Sequence, residues 1–200
     1  MKLLETLEEI REDIWINLLE SVDQQGNAFR YPVIATLSGD EPLQRTVVLR
    51  NTYVSNRTLL IHTDKRSRKI DDLSKNPALS WLFYDPRRRI QLHMKSTATI
   101  HEPGSELHEN EWNATDDSER RMYSVKHPPG TAVDKPTDVW PGQIWNPATR
   151  NKQIALSKPH FRVVTAEIYH MDWLQLHPEG EFRAIFEWKE GAWTETWACP

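Results

Sequence analysis

The residues of this chain best equipped for chemistry lie in one short run, His62-Thr63-Asp64-Lys65-Arg66-Ser67-Arg68-Lys69. Shortly before it stands Arg45-Thr46-Val47-Val48-Leu49-Arg50. Cationic heads and hydroxyls, together with the unpaired N–H groups at a helix start, suit the binding of a phosphate. A phosphate monoester carries about −1.5 to −2 charges at neutral pH. Arg45, Arg50, Arg68 and Lys69, with Thr63 and Ser67, are the candidates for holding it. The same run also reads as a solvated, charged turn, and composition alone does not separate the two. Gln91 can both donate and accept a hydrogen bond, which suits the edge of a heterocycle or, equally, a strand surface. Trp173 suits stacking on a ring or packing in a core.

The elements around the run give it a place. Leu59-Leu60-Ile61 reads as a buried strand, and Arg66 to Lys75 as a short helix stopped by Pro77. Leu3, Leu7, Ile10, Ile14 and Leu18 recur at spacings of three and four, which predicts an amphipathic helix over about residues 2–21. Strands are expected at Pro32–Leu37, Leu43–Arg50, Thr58–Thr63, Ala78–Tyr84 and Arg89–Ile100. The last alternates most clearly, Ile90, Leu92 and Met94 against Gln91, His93 and Lys95. Strand parity sends Arg45 and Arg50 to opposite faces unless a bulge intervenes. Residues 105–125 read as helical, and 126–150 as an ordered, Pro-rich loop expected to pack Trp140, Ile144 and Trp145 on a neighbouring surface such as a second subunit. Further strands are expected at Phe161–Leu176, Phe182–Trp188 and Trp193–Ala198. Strands on both sides of a helical insert, with little βαβ alternation, predict a mainly antiparallel barrel with flanking helices in one domain.

Composition narrows the function. The net charge of −4 argues against an extended nucleic-acid-binding face. No apolar run reaches membrane-spanning length, and the acids in MKLLETLEEIRED do not suit a secretory signal. The one cysteine, Cys199, has no internal partner, so a cytoplasmic location is expected. The scattered histidines show no metal-ligand spacing, and no nucleophile elbow, Walker loop or dinucleotide fingerprint occurs. No protein general base stands out, which fits chemistry carried by a cofactor. Nine Trp in 200 residues suggest an interface or a ligand wall.

In order and spacing the chain resembles the pyridoxamine 5′-phosphate oxidase-like FMN-binding split barrels. Arg45-Thr46-Val47-Val48-Leu49-Arg50 is similar to the family's R-x-V-L-L-K strand, and His62-Thr63 leads to Ser67-Arg68-Lys69 as its Y-T leads to S-R-K. Asn76-Pro77-Ala78-Leu79-Ser80-Trp81-Leu82-Phe83 resembles N-P-x-A-x-L-x-F, and the stretch from Gln91 to Ala98 resembles R-Q-V-x-V-x-G-x-A. Phe161-Arg162-Val163-Val164, Trp173, Arg183 and the closing Trp193 to Pro200 resemble its later motifs. The resemblance implies a six-stranded antiparallel split β-barrel with peripheral helices, binding FMN in a homodimer. It further implies that Arg45, Ser67, Arg68 and Lys69 surround the FMN phosphate. Backbone at Thr46, Val47 and Val48 and at His62 and Thr63 would meet the ring and ribityl chain, with Arg50 closing that strand. Gln91 would reach the ring edge, and Trp173 and Arg183 would come from the other subunit.

The departures are as informative. The oxidases' R-L-H-D-R segment, which reaches the phosphorylated vitamin, reads here Pro178-Glu179-Gly180-Glu181-Phe182-Arg183. Two acids there would repel a phosphorylated substrate. The glycine of R-Q-V-x-V-x-G is Ser96, and Arg50 replaces the usual Lys. The expectation is an FMN-dependent oxidoreductase that is not the true oxidase, its substrate unspecified. The alternatives are a flavin carrier or sensor without turnover, or a split barrel that holds another ligand such as haem or serves as a dimeric scaffold.

Overall fold

The structure is a computed structural model and describes residues 4–140 and 150–200. Trp145, Ile144 and the prolines at 141 and 147 lie outside the described residues, as does the expected start of the first helix.

Helix α1 (Leu7–Asp23) begins in a capping box: the Thr6 hydroxyl accepts from the Glu9 N–H, and the Glu9 carboxylate accepts from the Thr6 N–H. Its apolar stripe buries Ile10, Ile14, Trp15 and Leu18. The strands are β1 (Val33–Ser38), β2 (Glu41–Thr46), β3 (Asn51–Tyr53), β4 (Thr58–Asp64), β5 (Ala78–Asp85) and β6 (Ile90–His101). After them come β7 (Phe161–His177), β8 (Gly180–Lys189) and β9 (Ala192–Ala198). The helices after the first are α2 (Arg68–Lys75), α3 (Glu106–Ala114), α4 (Asp117–Arg120) and α5 (Arg150–Ser157).

The strands join one sheet in the order β2-β1-β5-β6-β7-β4-β3, with β8 on β7 and β9 on β8. The β1–β2, β1–β5, β3–β4, β5–β6, β7–β8 and β8–β9 pairs are antiparallel. The expected class, mainly antiparallel β with flanking helices, is therefore observed. The expected six strands become nine among the described residues, because β8 and β9 extend the sheet as a meander and β3 adds a three-residue strand. The strand expected over Leu43–Arg50 ends at Thr46, and residues 47–50 run on without regular structure. Arg45 and Arg50 therefore do not share a strand, and strand parity does not set their faces.

The chain divides into two compact units. The first comprises Met1–Ile61, Asn76–Thr99 and Thr165–Pro200; the second comprises His62–Lys75 and Ile100–Val164. The core of the first unit includes Trp81, Phe83, Leu92, Met94, Trp173 and Phe186, each no more than 1% exposed. In β7 the inward residues are Ala166 and Ile168, then Met171, Trp173 and Gln175. The alternation thus slips by one between Ile168 and Met171. Ser96 on β6 is buried, donates to the Leu79 carbonyl at 2.8 Å and accepts from Trp81 Nε1 at 3.0 Å.

In the second unit Phe161 is the hub. His62, His108, Trp112 and Tyr123 stand around it edge-on, with ring centroids 4.8–5.3 Å away. The loop from His127 to Asp138 is exposed and holds its own turns through Thr131 N–H to the Pro128 carbonyl and Asp138 N–H to Lys135. No helix is long and apolar enough to cross a membrane among the described residues.

Candidate functional site

In the second unit the end of β4 and the start of α2 form a small cradle. The Lys69 ammonium donates to Thr63 Oγ1 and to Ser67 Oγ, both at 2.9 Å. Thr63 and Ser67 are buried, 5% and 9% exposed, while Lys69 is half-buried. The turn that brings them together is fixed by Asp64. Its carboxylate accepts from the Arg66 N–H at 2.8 Å and from the Arg66 guanidinium at 3.0 and 2.6 Å. The Ser67 N–H donates to the Asp64 carbonyl, and Ile70 N–H to that of Ser67. Arg66 is thereby committed to Asp64 and to the Val125 carbonyl, and Arg68 points out as an exposed first residue of α2. The charge run is therefore not uniform: one cation builds the turn, and Lys69 with two buried hydroxyls faces one point. An anion oxygen at that point would receive charge-assisted hydrogen bonds.

The His62 imidazole is taken up elsewhere. Its Nε2 lies 2.8 Å from Glu111 Oε2 on α3, and its side chain is 5% exposed. Its Nδ1 is buried without a hydrogen-bond partner among the described residues.

The first unit carries a cleft of about 400 Å³ on the outer sheet face, lined by Gln91, His93, Asp172, Arg183, Ser80 and Leu82 among others. Gln91 and His93 share the face of β6 opposite Leu92 and Met94. Arg183 on β8 meets Asp172 on β7 through two hydrogen bonds, Nε to Oδ1 at 2.9 Å and Nη2 to Oδ2 at 2.7 Å. That pairing holds the Asp172 carboxyl below its ordinary range, against the opposing effect of burial. Burial lowers the His93 pKa below 6.5; the Asp172 charge opposes this and Lys95 adds to it.

Of the residues expected at a site, Gln91 and Arg183 meet in this cleft, and Thr63, Ser67 and Lys69 meet in the cradle. Arg45 is half-buried and donates to Thr36 Oγ1 at 2.6 Å. Thr46 is exposed, and the Val47 N–H donates to the Pro32 carbonyl. Val48 is half-buried, and the Arg50 N–H donates to Leu60. Trp173 requires a correction. It is fully buried, with no partner for its Nε1 among the described residues, so it packs the core instead of facing a ligand. The slip in β7 is the cause, since it turns Trp173 inward and Asp172 outward. Asp172 and His93 are the cleft residues the sequence reading missed. The Gln91–His93 alternation was the available signal for His93, whereas nothing in the sequence marks the slip that exposes Asp172.

Residues 12–102 match the family described as pyridoxamine 5′-phosphate oxidase, FMN-binding domain. No curated protein matches the sequence. Among solved structures, a pyridoxamine 5′-phosphate oxidase-related, FMN binding protein from Nostoc punctiforme PCC 73102 superposes with a TM-score of 0.74. It is 20% identical, with all of both chains covered. PhzG from Burkholderia lata 383, in complex with tetrahydrophenazine-1-carboxylic acid, gives 0.74 at 17% identity, covering 98% of this chain and 94% of its own. Residues 12–102 thus carry the sequence match to that FMN-binding domain family, and the fold is shared with these two solved structures along nearly the whole chain.

Proposed function

We infer that this protein binds FMN and uses it as an oxidoreductase on a small molecule other than the phosphorylated vitamin. The observation that carries the reading is the Lys69–Thr63–Ser67 cradle, which lies inside the segment matching the FMN-binding family. An ammonium, two hydroxyls and the start of α2 are the donor set that a terminal phosphate requires. Arg68, exposed beside them, adds positive charge for the same group. When bound, FMN would supply the electron transfer, and the chain would supply binding and orientation. In the cleft, Gln91 offers an amide to the ring edge and Arg183 a cation. We further infer a homodimer in which one protomer holds the phosphate and its partner presents Arg183.

Two features of the first unit bear on the substrate. Glu179 and Glu181 are exposed at the tip of the β7–β8 hairpin, where the oxidases place an Arg and a His. A phosphorylated substrate approaching that tip meets two negative charges and no added cation. The cleft volume of about 400 Å³ is within the range of small-molecule sites.

The test is a flavin spectrum of purified protein reconstituted with FMN, followed by anaerobic addition of NADH or NADPH. The expected result is one FMN per chain and rapid bleaching by one donor. Tight FMN binding without bleaching by either donor would favour the carrier or sensor, and a colourless protein would overturn the reading.

A further inference from the structure

The cleft contains a device that a phosphate or ring site alone does not require. Arg183 is the cleft's strongest cation, yet both of its outer hydrogen bonds go to Asp172. Asp172 is on β7 and Arg183 on β8, two positions off direct register, since Asp172 faces Ile185 and Leu174 faces Arg183. The diagonal contact therefore depends on Asp172 facing outward, which only the slip in β7 achieves. Asp172 is also the charge that His93 and His170 both feel, while Lys95 opposes it and Glu187 reinforces it near His170.

We propose that Asp172 is the positioning residue that fixes Arg183 at the cleft and neutralises it, so that the cleft favours an uncharged ring over an anionic one. The inference rests on the flavin reading above. Oxidised FMN presents an uncharged ring, and two-electron reduction places negative charge on it. With Asp172 in place, the nearby carboxylate offsets the guanidinium, and the reduced ring gains little. Electrostatic fields of this kind act strongly only at short range and in poorly solvated sites. The Arg183–Asp172 pair meets the first condition, at 2.7–2.9 Å, and Asp172, with its side chain 17% exposed, is its less solvated member. The consequence is a flavin held at a low reduction potential, suited to passing electrons onward once reduced.

The experiment uses the FMN-loaded protein and compares midpoint potentials of the parent, Asp172→Asn and Asp172→Glu. Asp172→Asn keeps the shape and one hydrogen-bond acceptor but removes the charge. The affinity for reduced FMN relative to oxidised should rise about tenfold, a positive shift of about 30 mV for a two-electron couple. Asp172→Glu should return the potential toward the parent value. Affinity for oxidised FMN should change little in both. A yellow Asp172→Asn protein with the parent potential overturns this inference alone. Equal shifts in Asn and Glu variants overturn it as well, because they would trace to shape and not to charge. A parent protein that takes up no FMN overturns the flavin reading, and this inference falls with it. Should Asp172→Asn fail to fold, Arg183→Gln gives the same decision. It should lower the potential by a comparable amount, because it leaves the Asp172 carboxylate unopposed beside the ring; an unchanged potential would overturn the inference.

Discussion

At the scale of single residues, the site is decided by which polar groups already have partners. Arg66 has Asp64, His62 has Glu111 and Arg183 has Asp172. Lys69 leans on two hydroxyls, which an anion can share without leaving a buried charge unpaired. Replacing Arg68 and Lys69 together by Ala should weaken FMN binding, each charge-assisted contact contributing about 1.5–3 kcal/mol. Fluorescence titration of the flavin measures this, and unchanged affinity would move the phosphate elsewhere. Trp173→Ala should act differently. A fully buried indole removed from the core costs about 3–5 kcal/mol, seen as a lower urea midpoint. A variant as stable as the parent but poor in FMN affinity would return Trp173 to the ligand.

At the scale of elements, the sheet shows where sequence periodicity is a safe guide and where it fails. In β6 the pattern runs from Ile90 to Ala98 without a slip, so the face carrying Gln91 and His93 could be read directly. In β7 the first inward residues, Ala166 and Ile168, set a phase under which Trp173 would face out, as the resemblance implied. The slip before Met171 reverses every residue after it, because a strand has only two faces. Nothing in the composition of Tyr169-His170 marks it. The short β3 and the helix α5 were also missed, being three and eight residues long and lacking a full period of apolar positions. The cradle, by contrast, was legible because it sits on one local turn. Ser96, standing where the family has Gly, joins β5 to β6 through Trp81 Nε1 and the Leu79 carbonyl. Ser96→Gly would leave the indole N–H buried without an acceptor, at a cost of about 1–3 kcal/mol. Urea denaturation of the variant tests this, and a neutral effect would mean that Trp81 finds another acceptor.

At the scale of the whole molecule, protonation sets the range of conditions in which the fold holds. His93, His101, His160 and His170 all have pKa values below 6.5, with burial the largest cause in each. The unfolded chain therefore binds protons that the folded chain refuses, and stability falls as pH drops below 6.5. A second loss follows at lower pH. The Glu109 pKa is lowered from 4.5 to about 2, first by its hydrogen bond from Lys158, so the stability it lends fades between those values. Melting temperatures measured at low ionic strength should decline in these two windows. A flat profile through 6.5 would mean that the four imidazoles titrate alike in both states. The meander at the end of the chain offers a way to watch the cleft without altering it. Ala198 on β9 stands opposite Arg183 in register, and the exposed Cys199 follows it directly. As the chain's single thiol, it accepts one fluorophore at one known place beside the cleft. Emission from that fluorophore should be quenched as FMN is added, so the native sequence already contains its own optical reporter of ring binding.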